Sequence, residues 1–304
     1  MFRRILVPID SPDPGAPVRY AAALAKALGA PITLLGVKEP ASDRAPVPVD
    51  PFQWHADLAH LLAGLEAIAA GLRADGIDAD AVVREGLAAD RIAEYAQRND
   101  CDLVVLSRRW AGTSEDSPLR TLLHLGDQSL LVVPAEAGKS APPRISRLVV
   151  PLDGSSRAEC VLPVADAVRR GFGAHVVLAH VVEEPSMPGQ VPPSAEDIRL
   201  SRQLVERNRH AVTGVMERAR ALMGSETEVR LIVHAHIPSA LHDLVGAEAA
   251  DLVVLAAHGS AGDLRWGCGS VAHHLIEYGT RPILLIQDQR VPVAVPRVRN
   301  PVRV

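Results

Sequence analysis

The sequence predicts an α/β fold: two tandem, doubly wound, parallel five-stranded sheets flanked by helices. Three observations carry this. First, the chain repeats itself. Arg4, Val7, Pro8 and Asp10 of "RRILVPIDS" recur as Arg147, Val150, Pro151 and Asp153 of "SRLVVPLDG", 143 residues later. "DLVVL" occurs at Asp102–Leu106 and again at Asp251–Leu255, a shift of 149. A near-constant shift of this length marks two copies of one domain, not a solenoid. Second, within each copy short aliphatic runs alternate with helical patterns, the signature of βαβ units on a parallel sheet. Third, hydrophobic residues make up 48% of the chain but aromatics only 3%, as expected of Val/Ile/Leu strands buried on both faces.

The elements follow in order. In the first copy, "RILVPI" is a strand, Ala16–Leu28 a helix, "ITLLGV" a strand and Asp57–Ala74 a helix. "AVVRE" is then a strand, Asp90–Asn99 a helix, "DLVVL" a strand, Leu119–Leu125 a short helix and "SLLVV" the last strand. In the second copy, "RLVVPL" is a strand. "RAECVLPVADAVRR" places Ala158, Val161, Leu162, Ala165 and Val168 on one helical face. "AHVVLAHVV" is a buried strand, "EEPSMPGQVPPS" a Pro-rich loop and Ala195–Met223 a long helix. "TEVRLIV", "SALHDLVGAEAA", "DLVVLA", "SVAHHLIEYG" and "PILLI" complete the alternation.

The 304 residues suffice for two domains. "AEAGKSAPPRIS" (Ala135–Ser146) is small, polar and Pro-containing, as linkers are. The domains are therefore set at 1–138 and 145–288, with a tail at 289–304 that alternates apolar and basic residues. A net charge of −4 excludes bulk nucleic-acid binding, which needs a basic face. No run reaches the ~18 apolar residues of a membrane helix. "MFRRILVPID" has no apolar core of a secretory signal. Three well-separated cysteines and no CxxC argue against a disulfide framework or structural zinc. A cytoplasmic protein without nucleic-acid or membrane partners is expected.

In doubly wound sheets ligands bind beyond the carboxyl ends of the strands, so the loops there carry the functional reading. "GKS" at Gly138–Ser140 is no Walker loop: Val133 stands where a glycine is needed, and "APP" follows instead of a helix. "GCGSVA" at Gly267–Ala272 fits GxGxxA, but its strand ends near Ala256, too far upstream for a dinucleotide fingerprint. The whole loop is more informative. Nine residues separate Gly259 from Gly269-Ser270, which places "GS" at the start of the helix "SVAHHLIEY". Free N–H groups and the positive end of the helix dipole favour an anion there. Ser270 could cap the helix or donate to a phosphate oxygen; a capped helix after a long loop is the plainer alternative. Gly262 and Gly267 read as loop punctuation.

At these residues the sequence resembles the universal stress protein family. "VVPLDGS", "LAHVV", "DLVVLAAHG…GS" and "RPILLI" occur in that order, and the likeness spans nearly the whole chain as two tandem copies. It implies a Rossmann-like fold similar to adenine nucleotide hydrolases. ATP-binding members carry G-x2-G-x9-G-[ST] after the fourth strand; here Ala256, Gly259, Gly269 and Ser270 hold those positions. The resemblance implies adenine contacts at Pro151, Asp153 and Val181, a ribose beside Leu255 and Ala256, and phosphates at Gly259, Gly269, Ser270 and Val271. Asp153 suits the exocyclic amino group of adenine; capping the following helix is its alternative role. The implied ligand is ATP, with Mg or Mn carried by the phosphates. The implied role is a stress-response regulator that binds nucleotide without turnover, at most with slow hydrolysis. The competing reading is an interaction module that binds no nucleotide. The resemblance also implies an intramolecular pseudo-dimer joined at the last strands, and leaves room for a homodimer.

The departure is Ala256 for glycine. At positive φ alanine would cost about 1–3 kcal/mol; at negative φ its methyl group only narrows the approach. The first copy departs further. Ser107 and Trp110 stand at the first two glycine positions and Arg120-Thr121 where Gly-Ser is needed. Asp10 and Val37 remain, but the first copy is expected not to bind ATP. Elsewhere, His234 and His236 invite a metal reading but lack a third ligand, and His273 and His274 point apart on a helix. No GxSxG elbow occurs. Cys268 lies inside the loop at a helix N-terminus, a place that lowers a thiol pKa, which makes it a candidate for oxidation sensing; filler in the loop is the alternative.

Overall fold

The structure, a computed structural model, describes residues 2–9, 15–39, 50–111, 117–125, 127–134, 143–185, 194–259 and 267–287. The linker glycine motif, Asp10, Gly262 and the tail fall outside these residues. The first repeat runs β1 (Ile5–Ile9), α1 (Gly15–Leu28), β2 (Ile32–Lys38), α2 (Pro51–Ala74), β3 (Ala79–Glu85), α3 (Ala88–Arg98), β4 (Leu103–Ser107), α4 (Pro118–Leu125) and β5 (Ser129–Val133). The second runs β6 (Arg147–Pro151), α5 (Leu162–Phe172), β7 (His175–Glu183), α6 (Ala195–Met223), β8 (Glu228–His234), α7 (Ile237–Ala247), β9 (Leu252–Ala256), α8 (Ser270–Tyr278) and β10 (Ile283–Ile286). No described helix is long and apolar enough to cross a membrane.

The strands lie in the order β3-β2-β1-β4-β5-β10-β9-β6-β7-β8. Within each repeat every neighbouring pair is parallel. Between repeats β5 and β10 pair antiparallel, Leu131 opposite Leu284. The two five-stranded sheets are thus joined edge to edge. Strand side chains alternate between two apolar cores. Ile5, Val7, Leu148, Val150 and Leu284 face the layer of α1, α2, α5 and α6. Leu6, Val104, Val149, Val253 and Leu285 face α3, α4, α7 and α8. Both cores run across the boundary between the repeats.

Two helix starts differ from the sequence reading. α2 begins at Pro51, six residues before Asp57. Asp50 caps it, accepting the Phe52 N–H at 2.9 Å, and Pro51 fits the first turn because it lacks an N–H. The segment around Ala158–Val161 is a separate 3-10 turn, and α5 starts at Leu162. Pro163 there has no N–H to donate to an earlier turn, so the helix restarts with it in the first turn.

The repeated "DLVVL" aspartates do the same work in both halves. The Asp102 carboxylate accepts the N–H groups of Arg3 (2.9 Å) and Arg4 (3.2 Å). That of Asp251 accepts from Ser146 N–H (2.8 Å), Ser146 Oγ (2.7 Å) and Arg147 N–H (3.0 Å). Each ties the segment leading into the central strand to the strand beside it. We expect Asp251→Ala to cost about 1–3 kcal/mol, the usual loss for orphaned donors at a carboxylate, read from urea denaturation. Asp102→Ala should fall in the same range.

Candidate functional site

The strand order reverses between the parallel strands β6 and β9: the chain winds outward from β6 through β7 and β8, then returns to β9 on the other side of β6. The register of β6 with β9 covers only Leu148 opposite Leu252 and Val149 opposite Val253, at the amino ends. Beyond these residues the strands part, and a crevice opens at their carboxyl ends. It holds a cavity of about 270 Å³. Pro151 and Asp153 reach it from the end of β6, Val181 from β7, and Leu255 and Ala256 from β9. Gly259, Gly269, Ser270 and Val271 line its opposite side. All nine residues singled out in the sequence therefore surround one cavity.

His258, next to Gly259, also lines it, as do His180, Ile237 and Leu241, which sequence reading passed over. Ile237 and Leu241 are an i, i+4 apolar pair opening α7, a visible signal. His180 is the one polar residue within the run "VVLAHVV". Its Nδ1 lies 2.7 Å from the Leu152 carbonyl oxygen. Burial holds the imidazole below its ordinary pKa, against the Leu152 hydrogen bond and the Asp153 charge that favour the cation. A carbonyl only accepts, so Nδ1 carries the proton, and in the neutral ring Nε2 is left as an acceptor.

Asp153 is both cap and wall. Its Oδ1 accepts the Ser155 N–H (2.9 Å) and hydroxyl (2.6 Å), and Ser155 Oγ accepts the Ala158 N–H (3.2 Å). Its Oδ2 sits where residue 259 would carry a side chain: a Cβ on Gly259 would lie 2.4 Å away. Gly259 is thus required by close approach to the carboxylate and not by its φ. Gly269 is different. Its φ is −67°, and a Cβ there would meet nothing nearer than the Ala257 carbonyl oxygen at 3.6 Å. The protein's own packing leaves room for a side chain at that position.

Gly269 is the N-cap of α8, and among the described residues no side chain caps that helix. Ser270 is the first helical residue, not the cap. The corresponding helix of the first repeat is closed. Ser117 Oγ accepts the Arg120 N–H at 3.5 Å and donates to the Trp110 carbonyl. Trp110 lies in a 3-10 turn, Arg108–Ala111, and packs on the core with Leu125. One repeat presents an uncapped helix end beside a cavity; the other covers its helix end with its own residues.

Ala256 ends β9 in register with Ile286. Among the described residues, the non-glycine positions with positive φ are Asp100 and Ala249, so Ala256 carries no strain of that kind. Its methyl group borders the cavity without forcing the chain. Of the two readings of Cys268, its burial goes against oxidation sensing and with filler. The thiol is 1% exposed, and burial pushes its pKa up to about 12, outweighing any pull from the helix end. Gly267 is more than punctuation, since its backbone meets the first repeat. His234 and His236 are occupied locally: His236 N–H donates to His234 Nδ1 at 2.9 Å, and His236 Nδ1 receives the Ser239 N–H at 3.3 Å as the cap of α7. Among the described residues no three His, Cys, Asp or Glu side chains are arranged to hold a metal ion.

The profile of the universal stress protein family matches residues 1–134 and 144–287. The chain belongs to the universal stress protein family. Solved structures agree in fold. A universal stress protein from Archaeoglobus fulgidus is 16% identical with a TM-score of 0.63, covering 94% of this chain and 96% of its own. A protein described as a putative universal stress protein from Pseudomonas aeruginosa is 15% identical with a TM-score of 0.60, covering 94% and 93%. A comparison with curated proteins finds no match. In this universal stress protein, family membership explains the two-fold α/β repeat, while the difference between its two helix ends is read from its own residues.

Two measurements check this geometry. Gly259→Ala should lower stability by about 1–3 kcal/mol through overpacking against Asp153, whereas Gly269→Ala should stay within about 0.5 kcal/mol, as at open surface sites; thermal denaturation compares them. His180 and His274 both have lowered imidazole pKa values, chiefly through burial. Folded, they bind fewer protons than the unfolded chain, so stability is full above about pH 6.5, the ordinary imidazole value, and declines as pH falls below it. His180→Asn should lessen that decline in melts compared at neutral and mildly acidic pH.

Proposed function

We propose that the second repeat binds an adenine nucleotide, ATP in the first instance, and that the protein acts as a cytoplasmic stress-response regulator. The observation that carries this is the uncapped N-terminus of α8, which faces the cavity through a glycine that the fold itself does not need. A bare helix end at a topological switch point is an anion site. In this reading Gly259, Gly269, Ser270 and Val271 receive the phosphates. Leu255 and Ala256 flank the ribose. Pro151, Val181 and Asp153 hold the base, with the carboxylate oxygen beside Gly259 accepting from the exocyclic amino group. Mg or Mn would enter with the phosphates.

Turnover is not part of this function. The Asp153 carboxylate in the cavity wall is held by Ser155 and by its contact with Gly259, a poor arrangement for a base that must reach an attacking water. The first repeat serves as a partner of the second in an intramolecular pseudo-dimer and binds no ATP. An interaction module without nucleotide was the rival reading, resting on Ala256. The backbone there has no positive φ, so that reading rests on the Ala256 methyl group narrowing the approach to the ribose.

Calorimetry should detect ATP binding in the micromolar range by the purified protein. Gly269→Asp should abolish it, since a carboxylate would sit at the phosphate position. Ala256→Gly should change it little. Absence of binding by the wild type up to millimolar ATP, with Mg or Mn, would overturn the proposal. A large gain on Ala256→Gly would favour the rival reading.

A further inference from the structure

Gly267 has a φ of +69°, which disfavours any L side chain. A Cβ there would also lie 2.6 Å from the Leu123 carbonyl carbon, 2.7 Å from the His124 nitrogen and 2.8 Å from the Leu123 oxygen. These are backbone atoms of α4, in the other repeat. The chain just before α8 therefore rests directly on the last turn of α4, and glycine satisfies both the dihedral and the contact. Two residues on, the Gly269 N–H donates to the Ala257 carbonyl at 2.7 Å. Between them Cys268 is buried in the core that spans both repeats and that also holds Leu119, Leu122 and Leu123 of α4 and Ala272, Leu275 and Ile276 of α8. The turn 267–269 is thus fixed at one end on the first repeat and at the other on the residue after β9.

We propose that the first repeat, through the last turn of α4, positions the turn that presents the α8 N-terminus to the cavity, and that Gly267 is the positioning residue. The repeat with the closed helix end is then a structural component of the other repeat's anion site. The binding part of this inference rests on the nucleotide reading above. The positional part does not, because it concerns the turn itself.

The test uses the full chain and two variants, Gly267→Ala from the second repeat and Leu123→Ala from the first. Two readouts apply. The first is alkylation of the native protein, followed by peptide mass spectrometry. Cys268 should be labelled several-fold faster in each variant than in the wild type, while Cys101, buried elsewhere in the same apolar core, stays protected. The second is calorimetry with ATP and with adenosine. ATP affinity should fall roughly tenfold or more while adenosine affinity stays within about twofold, because only hydrogen bonds to phosphate are displaced. Cys268 remaining protected in both variants would overturn the inference. So would ATP and adenosine affinities that fall together, or Cys101 becoming reactive alongside Cys268, either of which signals general loosening. If the wild type binds no nucleotide, the proposed function fails, and the thiol readout alone decides the positioning role.

Discussion

The antiparallel pairing of β5 with β10 is the contact on which the rest of the structure depends. Each repeat alone would leave the backbone of its last strand unpaired, with an open row of donors and acceptors. Pairing Val132 with Ile283, Leu131 with Leu284 and Leu130 with Leu285 closes both edges at once. It also makes the two faces continuous. On one face α1 meets α5, with Gly171 against Ala27. On the other, α4 and the turn after β4 meet α8 and its preceding turn. The approach of Gly267 to the Leu123 backbone is available only because the sheets share that seam.

Much of this was legible in the sequence, and for a physical reason. Buried parallel strands must be aliphatic along their whole length, so "DLVVL" and "LVVP" declare themselves by composition alone. The lining of the cavity was legible because the family's loop pattern is a matter of spacing: Gly259, Gly269 and Ser270 sit at a fixed interval after a strand. What was hidden depended on contacts between distant residues. The start of α2 was missed because its first turns are exposed, Phe52 among them, and carry no apolar period; only the Asp50-Pro51 cap marks it. The oxidation-sensing reading of Cys268 fails because a helix end lowers a thiol pKa only where water or a charge supports the thiolate. Burial in a core shared with α4, which no local pattern announces, reverses the sign. The role of Gly267 was invisible for the same reason.

Asp153 shows how one residue can serve fold and site together. A carboxylate has lone pairs enough for two tasks. One oxygen holds the turn after β6 through Ser155, and the other defines the space that Gly259 must leave empty. Capping and base recognition, which stood as alternatives in the sequence, are therefore compatible. A side chain fixed by its structural bonds needs no further ordering when a ligand arrives, which limits the entropy lost on binding.

The contrast between the two helix ends bears on why the repeats share one chain. In a homodimer every substitution appears twice, so a residue that closes one site closes both. Covalent fusion removes that symmetry. Here Ser117 and Trp110 close the end of α4, while Gly269 leaves that of α8 bare. Closing α4 has a structural return. With its end closed by its own residues, α4 packs Leu119, Leu122 and Leu123 into the core that also holds residues of α8 and sets its last turn against Gly267. A helix end that had to move around a ligand would support its neighbour less well. Fusion also keeps the support at a high effective concentration, so the arrangement does not depend on protein level. The loss of the glycine loop in the first repeat is then consistent with gain of a second task, not with decay alone.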